Sequence, residues 1–585
     1  MSDFTERLDV FFADYFELNP TAATAAGLHA HDDRWPDLTE AGRQARLAFV
    51  GRWEAELGAA HAAALTDGER IDRDVLLLEL AAQRFAETEL REETWNPLEW
   101  VYLLGGGIFP LLAREFAPLG DRLTSAAGRL EGVPAVLDAA RESLTGHEGR
   151  PVARFHTETA LKQLAGVAEL ADDAVREGEA ASADQVVVTL LPRLRAARDT
   201  ARDALDAFEV WLRGDLLPRT EGEGRLGPQL FATKMRQTMR SAELTPEGIL
   251  AAAQREFDAV RAEMGRLARD GWSAWFPGED MPDDEGRLVR RVLDEIALDH
   301  PPADGLLDFC REELGRIEAF CRERNVIGLA EEPLDIRWTP VFMRSFGGAM
   351  LDAPGPLDRG QKSFFAITPI PEEWSPDRAE SYLREMNSRQ LRLLTIHEAV
   401  PGHYLQGVYA NRLGSLPRAV FWSGLFAEGW AVYVTQVMMD LGYGADDPGV
   451  ILNHWKYYLR AVVNAIIDAR IHTAGMGEEA AVSLMVEGAF QEEAEARAKY
   501  DRARLSSTQL STYFIGSMEF WSIEREARRR AAAASGDPRG AAAVPEPRVV
   551  GGFGDTPGFE LRAHLEACIS HGSPPTSILR RILLP

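Results

Sequence analysis

Between residues 3 and 325, apolar side chains return at helical spacing in one segment after another, and that recurrence leaves little choice of architecture. The segments are 3–19, 38–64, 69–91, 107–117, 120–145, 151–177, 184–213, 245–271 and 285–325, with Gly, Pro or Asp between them. In the first, Leu8, Phe11, Phe12, Tyr15 and Phe16 share one face, and Asn19-Pro20 ends it. No repeat period suggests a solenoid. The polar, Gly-rich joint Thr220-Glu221-Gly222-Glu223-Gly224 suggests a helical N-terminal lobe over 1–224 and a second lobe over 225–585, or one continuous domain. A chain of 585 residues is long enough for either.

The texture changes at 334–370. Leu334-Asp335-Ile336-Arg337-Trp338 and Ser363-Phe364-Phe365-Ala366-Ile367 are short runs of strand-forming residues. Ser345-Phe346-Gly347-Gly348-Ala349 and a Pro/Gly/Asp loop lie between them. This predicts a small sheet. An exposed strand there can pair with an extended peptide backbone; a structural hairpin that covers the core is the equal alternative.

Beyond the sheet, Leu393-Leu394-Thr395-Ile396 carries His397 and Glu398, and His403 follows Pro401-Gly402. Two imidazoles and a carboxylate are what a zinc hydrolase uses for two metal ligands and a general base, usually as H-E-x-x-H on one helix. Here the second histidine is at i+6, roughly 240° around an unbroken helix. Pro401 pushes Val400 out of the α region, and Gly402 tolerates unusual dihedrals. The spacing therefore predicts a helix ending near Val400, with Pro401 in the first turn of a new helix through His403. If the extra residues loop out, the two imidazoles can share an ion; otherwise His397 is a core residue and His403 a cap.

From Ala419 to Met439 the sole charge is Glu428. The length and apolarity raise a membrane span, but Ser423, Thr435, Gln436 and Glu428 favour a buried core helix. A carboxylate among Trp422, Leu425, Phe426, Trp430 and Val432 needs a cation. A third zinc ligand answers that need, and so does an Arg or backbone partner.

In the apolar segment 452–474, Asp468 and His472 are four residues apart and share a face. They can orient a metal ligand, contact substrate through His472, or form a satisfied core pair. The segment 478–504 reads as a charged, solvated helix. In Ser506-Ser507-Thr508-Gln509-Leu510-Ser511-Thr512-Tyr513, the tyrosine can donate to a developing oxyanion or be a core residue behind a Ser/Thr cap. Residues 527–558 read as a surface loop. His29, His31, Asp32 and Asp33 fit a polar loop with capping aspartates better than a cation site.

Composition excludes some functions. A net charge of −28 and a pI near 5.0 argue against nucleic-acid binding, which needs a basic surface. The N-terminal residues show no basic region ahead of an apolar run, which reads as no signal peptide. Three sparse cysteines, Cys310, Cys321 and Cys568, read as reduced, so the expected location is cytoplasmic, with no membrane partner.

His397-Glu398-Ala399-Val400-Pro401-Gly402-His403-Tyr404-Leu405-Gln406 and Glu428-Gly429-Trp430-Ala431 resemble the bacterial family DUF885. The resemblance runs nearly end to end, through Asn19 to Gly27, Asp468-Ala469-Arg470-Ile471-His472, Tyr513-Phe514-Ile515-Gly516 and Gly572-Ser573-Pro574. That family is similar in fold to the M32 carboxypeptidases and, more loosely, to the helical gluzincin peptidases. The resemblance implies a mainly α, M32-carboxypeptidase-like body around a deep central cleft, with the small sheet (334–370) beside the metal-binding helices (387–414) and a Glu-bearing helix (418–441). It implies a Zn2+ ion on His397, His403 and Glu428, with Glu398 as the base and Tyr513 and His472 at family positions. The activity implied is hydrolysis of short peptides, by an oligopeptidase or a carboxypeptidase. The M32 enzymes have the shorter H-E-x-x-H, and their substrate-end recognition motifs are not evident here. The closing Ala563-His564-Leu565 departs from the family's Phe-His-Asp, so His564 receives no role. Rival readings are a zinc amidohydrolase acting on a non-peptide amide and a non-catalytic helical protein that binds metal or peptide.

Overall fold

A computed structural model describes residues 3–339, 348–372, 374–536 and 555–585. Helices dominate, and the described strands form a single small sheet. The chain divides into two compact units. One runs to Arg225 and includes residues 354–362; the other holds 226–339, 348–353 and 363–585 of the described residues.

The first unit is built from long helices, among them Leu119–Ser143, Arg154–Ala180 and Gln185–Trp211, which pack on one another. Phe11, Phe49 and Trp53 meet within 6.4 Å between ring centroids, which anchors the opening helix Asp3–Leu18. Thr21 to Ala26, small residues without a clear helical face, form a helix from Pro20 that ends at Gly27. The helix expected at 107–117 begins earlier, at Pro97, because Asn96 caps it and Pro97 suits the first turn. It runs through Gly105-Gly106-Gly107 to Ala113.

In the second unit, the single segment expected at 285–325 is two helices, Glu285–Ile296 and Leu306–Glu323, separated around Pro301-Pro302. The sheet has the order β1-β3-β2, with β1 Leu334–Trp338, β2 Ala349–Asp352 and β3 Ser363–Ile367. β1 runs parallel to β3 and β2 antiparallel to it. Ser345, Phe346 and Gly347 lie outside the described residues. Ile336, Phe365 and Ile367 share a buried apolar cluster with Leu391 and Leu394, so the sheet packs against the helix that carries His397.

The core helix Gly424–Asp440 is buried at nearly every position. No described helix is long and apolar enough to cross a membrane. The segment expected as one solvated helix at 478–504 breaks into Glu478–Ser483 and Glu493–Leu505, and Lys499 and Tyr500 are buried. Helix Thr512–Ser535 takes up the start of the expected 527–558 loop, with Arg528 and Ala532 buried. Residues 537–554 lie outside the described residues.

Candidate metal centre

His397 and Glu398 end the helix Ser388–Glu398. Asn387 starts it by accepting from the N–H groups of Arg389 and Gln390, both at 3.1 Å. Residues Leu393 to Glu398 are all buried, so the helix can deliver a polar pair only at its end. The chain then leaves the helix at Ala399, and the Val400–Pro401 bond is cis. A second helix begins at His403, with Gly402 as its cap. The break falls one to two residues before the expected Val400, and Pro401 stands in the connection rather than in the new helix. The Gly402 N–H donates to Ile396 O at 3.0 Å, and Trp430 Nε1–H to Pro401 O at 2.9 Å, which pins the connection. Gly402 is obligatory, because a Cβ there would lie 1.9 Å from His397 O.

The looped connection brings His403 back beside His397, with ring centroids 4.7 Å apart and planes at 83°. Glu428, in the second turn of Gly424–Asp440, completes the group. Its Oε2 is 3.5 Å from His403 Nε2 and 3.7 Å from His397 Nε2. These separations exceed those of good hydrogen bonds. They match donors sharing a tetrahedral zinc, which stand roughly 3.4 Å apart when each is ~2.1 Å from the ion. One ligand atom from each of the three residues lies within 4.8 Å of the others, and this is the sole such His/Cys/Asp/Glu group found among the described residues. Glu428 Oε2 and His397 Nδ1 are buried without a hydrogen-bond partner there. An orphaned carboxylate oxygen facing two imidazoles is what a site built for a cation presents.

The helix Thr512–Ser535 supplies Tyr513. Gly429 and Gly516 bring it against the Glu428 helix, since a Cβ on Gly429 would lie 2.3 Å from Gly516 C. Burial and the Glu428 charge push the Tyr513 phenol up to about 12, while Arg502 and Gln509 act against the shift. The hydroxyl is therefore a neutral donor at pH 7. Asp468 does not orient a metal ligand. It accepts from Thr508 N–H (3.0 Å), Ser511 N–H (3.2 Å) and Ser511 Oγ (2.7 Å), and so holds the turn that leads into Tyr513.

His472 is not brought to the centre. Its Nδ1 accepts from Leu226 N–H at 3.3 Å, its Nε2 faces Ala503 O at 2.9 Å, and its ring stacks on Phe231 at 5.3 Å. Tyr457, on the same helix Pro448–Ala474, lies edge-on to His397 with ring centroids 5.8 Å apart. His472 is about 22 Å further along that helix.

Sequence reasoning missed Tyr457. Burial, Glu398, Tyr513 and Glu428 all raise its phenol, so it too remains a neutral donor, despite Arg460. The available signal was Lys456 and Arg460, a charged pair four residues apart in the first half of a largely apolar helix. Within the first unit, His29 meets Asp32 at 2.8 Å and Asp358 at 3.0 Å, as a side-chain clamp.

The family model described as "Bacterial protein of unknown function (DUF885)" matches residues 20–583. No curated protein matches the chain. Among solved structures, the chain is similar to "a putative lipoprotein of unknown function from Shewanella oneidensis", with 30% identity over 100% of both chains and a TM-score of 0.81. It shares its fold with "the putative lipoprotein from Colwellia psychrerythraea", with 16% identity over 97% of this chain and 96% of that one and a TM-score of 0.77.

Proposed function

We propose that this chain, which belongs to the bacterial family of unknown function DUF885, is a zinc-dependent metallopeptidase that hydrolyses short peptides. The observation that carries the reading is the convergence of His397, His403 and Glu428, with the Glu428 oxygen orphaned between the two imidazoles. Two nitrogens and one carboxylate oxygen form the donor set of hydrolytic zinc sites that keep a fourth position open. When bound, zinc supplies Lewis acidity, which lowers the pKa of a water toward ~7 and polarises a carbonyl.

The chain supplies the rest. Glu398 follows His397 directly and is buried, with its charge felt by both His403 and Tyr457. It takes a proton from the attacking water and passes it to the leaving amine. Tyr513 and Tyr457 donate their hydroxyl hydrogens to the oxyanion that develops on the carbonyl. An M32-like body with a deep cleft belongs to the same reading and restricts substrates to short peptides. A cytoplasmic location also belongs to it, in keeping with three free, buried cysteines; cell fractionation checks this.

The test is Glu398→Gln assayed on a peptide pool beside the wild type. Zinc content should stay at the wild-type level while turnover falls by at least ~100-fold. A fully active variant would remove Glu398 as the base. Acylated amino acids in the same panel separate a peptidase from an amidohydrolase. Stoichiometric zinc with no turnover on any substrate would leave a binding protein.

A further inference from the structure

Near Tyr457 and Tyr513, charged side chains gather in the second unit. Lys456 and Arg460 share a face of Pro448–Ala474 four residues apart, and Glu495, Lys499 and Arg502 share a face of Glu493–Leu505. Glu385 joins them from the helix Pro376–Glu385.

The pairings leave one cation over. Lys456 Nζ lies 2.8 Å from Glu385. Arg460 lies 2.8 Å from Glu495 and 3.6 Å from Glu385, and Lys499 lies 3.2 Å from Glu495. Arg502 has no carboxylate within ion-pair distance among the described residues. Its partners are neutral: Gln509 Oε1, at 3.0 Å, and the Tyr513 hydroxyl. Four basic side chains therefore face two carboxylates, in a chain whose net charge is −28. The crowding is felt locally: burial, Arg460 and Arg502 pull Lys499 down to about 7, against the pull of Glu495. The metal centre does not offset this excess once it is loaded, because a dication with Glu428 and Glu398 sums to zero. A half-buried excess of positive charge beside a reaction centre is costly unless an anion arrives to neutralise it.

We infer that Arg502, supported by Arg460, binds a carboxylate of the substrate, so that the peptides this protein takes carry an anionic group beside the bond presented to the metal. The inference rests on the peptidase reading of the site. Arg is suited to the role because its planar fork donates to both oxygens of a carboxylate. Tyr513 is the link between the two regions. It senses both Glu428 and Arg502, so a ligand anion held at Arg502 brings the rest of the ligand past Tyr513 toward the centre. A peptide carboxylate has two sources, the free C-terminus and an acidic side chain, and the guanidinium serves either.

The experiment is calorimetric binding to zinc-loaded Glu398→Gln, which should bind without turning over. Three peptides matched in sequence are compared: one with a free C-terminus, one C-terminally amidated, and one amidated with an internal Glu. Carboxylate peptides should bind about tenfold more tightly than the neutral amide. Arg502→Gln should bring that preference to within about twofold, and Arg502→Lys should restore part of it. Preference for the free C-terminus assigns the anion to the chain end, and preference for the internal Glu assigns it to a side chain. Equal binding of all three peptides, unchanged by Arg502→Gln in a variant with the parental melting temperature, overturns the inference. The two readings fail separately. Equal wild-type hydrolysis of acid and amide peptides, with no Arg502 dependence, keeps the peptidase and removes the carboxylate site. Arg502-dependent carboxylate binding with no peptide hydrolysis does the reverse.

Discussion

His403 is the residue whose protonation competes most directly with the metal. Burial works against its charged form, but Glu428 and Glu398 outweigh burial and hold its pKa above 6.5. With the pKa raised on folding, the stabilising charge pairing of the metal-free protein is full below 6.5 and lost as pH rises through the folded value. A metal must displace that proton. Zinc affinity should therefore begin to fall at a higher pH than it would for an ordinary imidazole, and zinc titrations across neutral pH check this. Glu428 stands at the same scale. Glu428→Ala removes a donor and relieves the two imidazoles of their carboxylate. Zinc in the purified protein should drop from about one equivalent to a small fraction, measured by elemental analysis.

Two elements position these residues by close approach of backbone. Helices Gly424–Asp440 and Thr512–Ser535 touch at Gly429 and Gly516, where no side chain fits. Gly516→Ala must push them apart, because its Cβ would lie 2.2 Å from Leu425 O. The expected cost is about 1–3 kcal/mol, read by denaturant unfolding, with a fall in kcat from the displaced Tyr513. The loop 354–362 is held differently. His29 bridges Asp32 and Asp358 and stacks on Phe116 at 3.6 Å. Burial disfavours its charge, yet the two aspartates raise its pKa to about 9. The clamp is fully present below the ordinary value of 6.5 and is lost as pH rises through about 9. Amide exchange in 354–362, corrected for its intrinsic pH dependence, should accelerate over that window in the wild type and be already fast in His29→Ala.

At the scale of the whole molecule, all three candidate ligands come from the second unit. Zinc should therefore stabilise that unit by mass action, by about 2.7 kcal/mol when free zinc is a hundredfold above its Kd. Amides of its core, such as those of the Glu428 helix, should gain protection on zinc addition, while those of Leu119–Ser143 should not change. Hydrogen exchange with and without a chelator reads both.

Periodicity alone determined the helical class and the short strands at 334–338 and 363–367, because spacing of apolar residues follows from which side of an element is buried. It also made 393–406 legible as a candidate metal site, since a Pro-Gly break in a buried helix can only redirect the chain. Helix starts at Pro97 and His403 were misread by ten residues (107 against 97) and by two, respectively, because capping and steric fit to neighbouring backbone decide them. Tyr457 was marked only by its charged neighbours Lys456 and Arg460, and Arg502 carried no local mark. Their part depends on three helices, distant in sequence, meeting around Glu428 and Tyr513. His472 shows the converse: a candidate from the sequence whose ring is engaged by the backbone of Leu226 and Ala503. Residue spacing reports which side chains share a face, and only the packing of faces decides which of them meet. That is why His397, Glu398, His403 and Glu428 were readable from the chain, and why the phenols and the unmatched guanidinium around them were not.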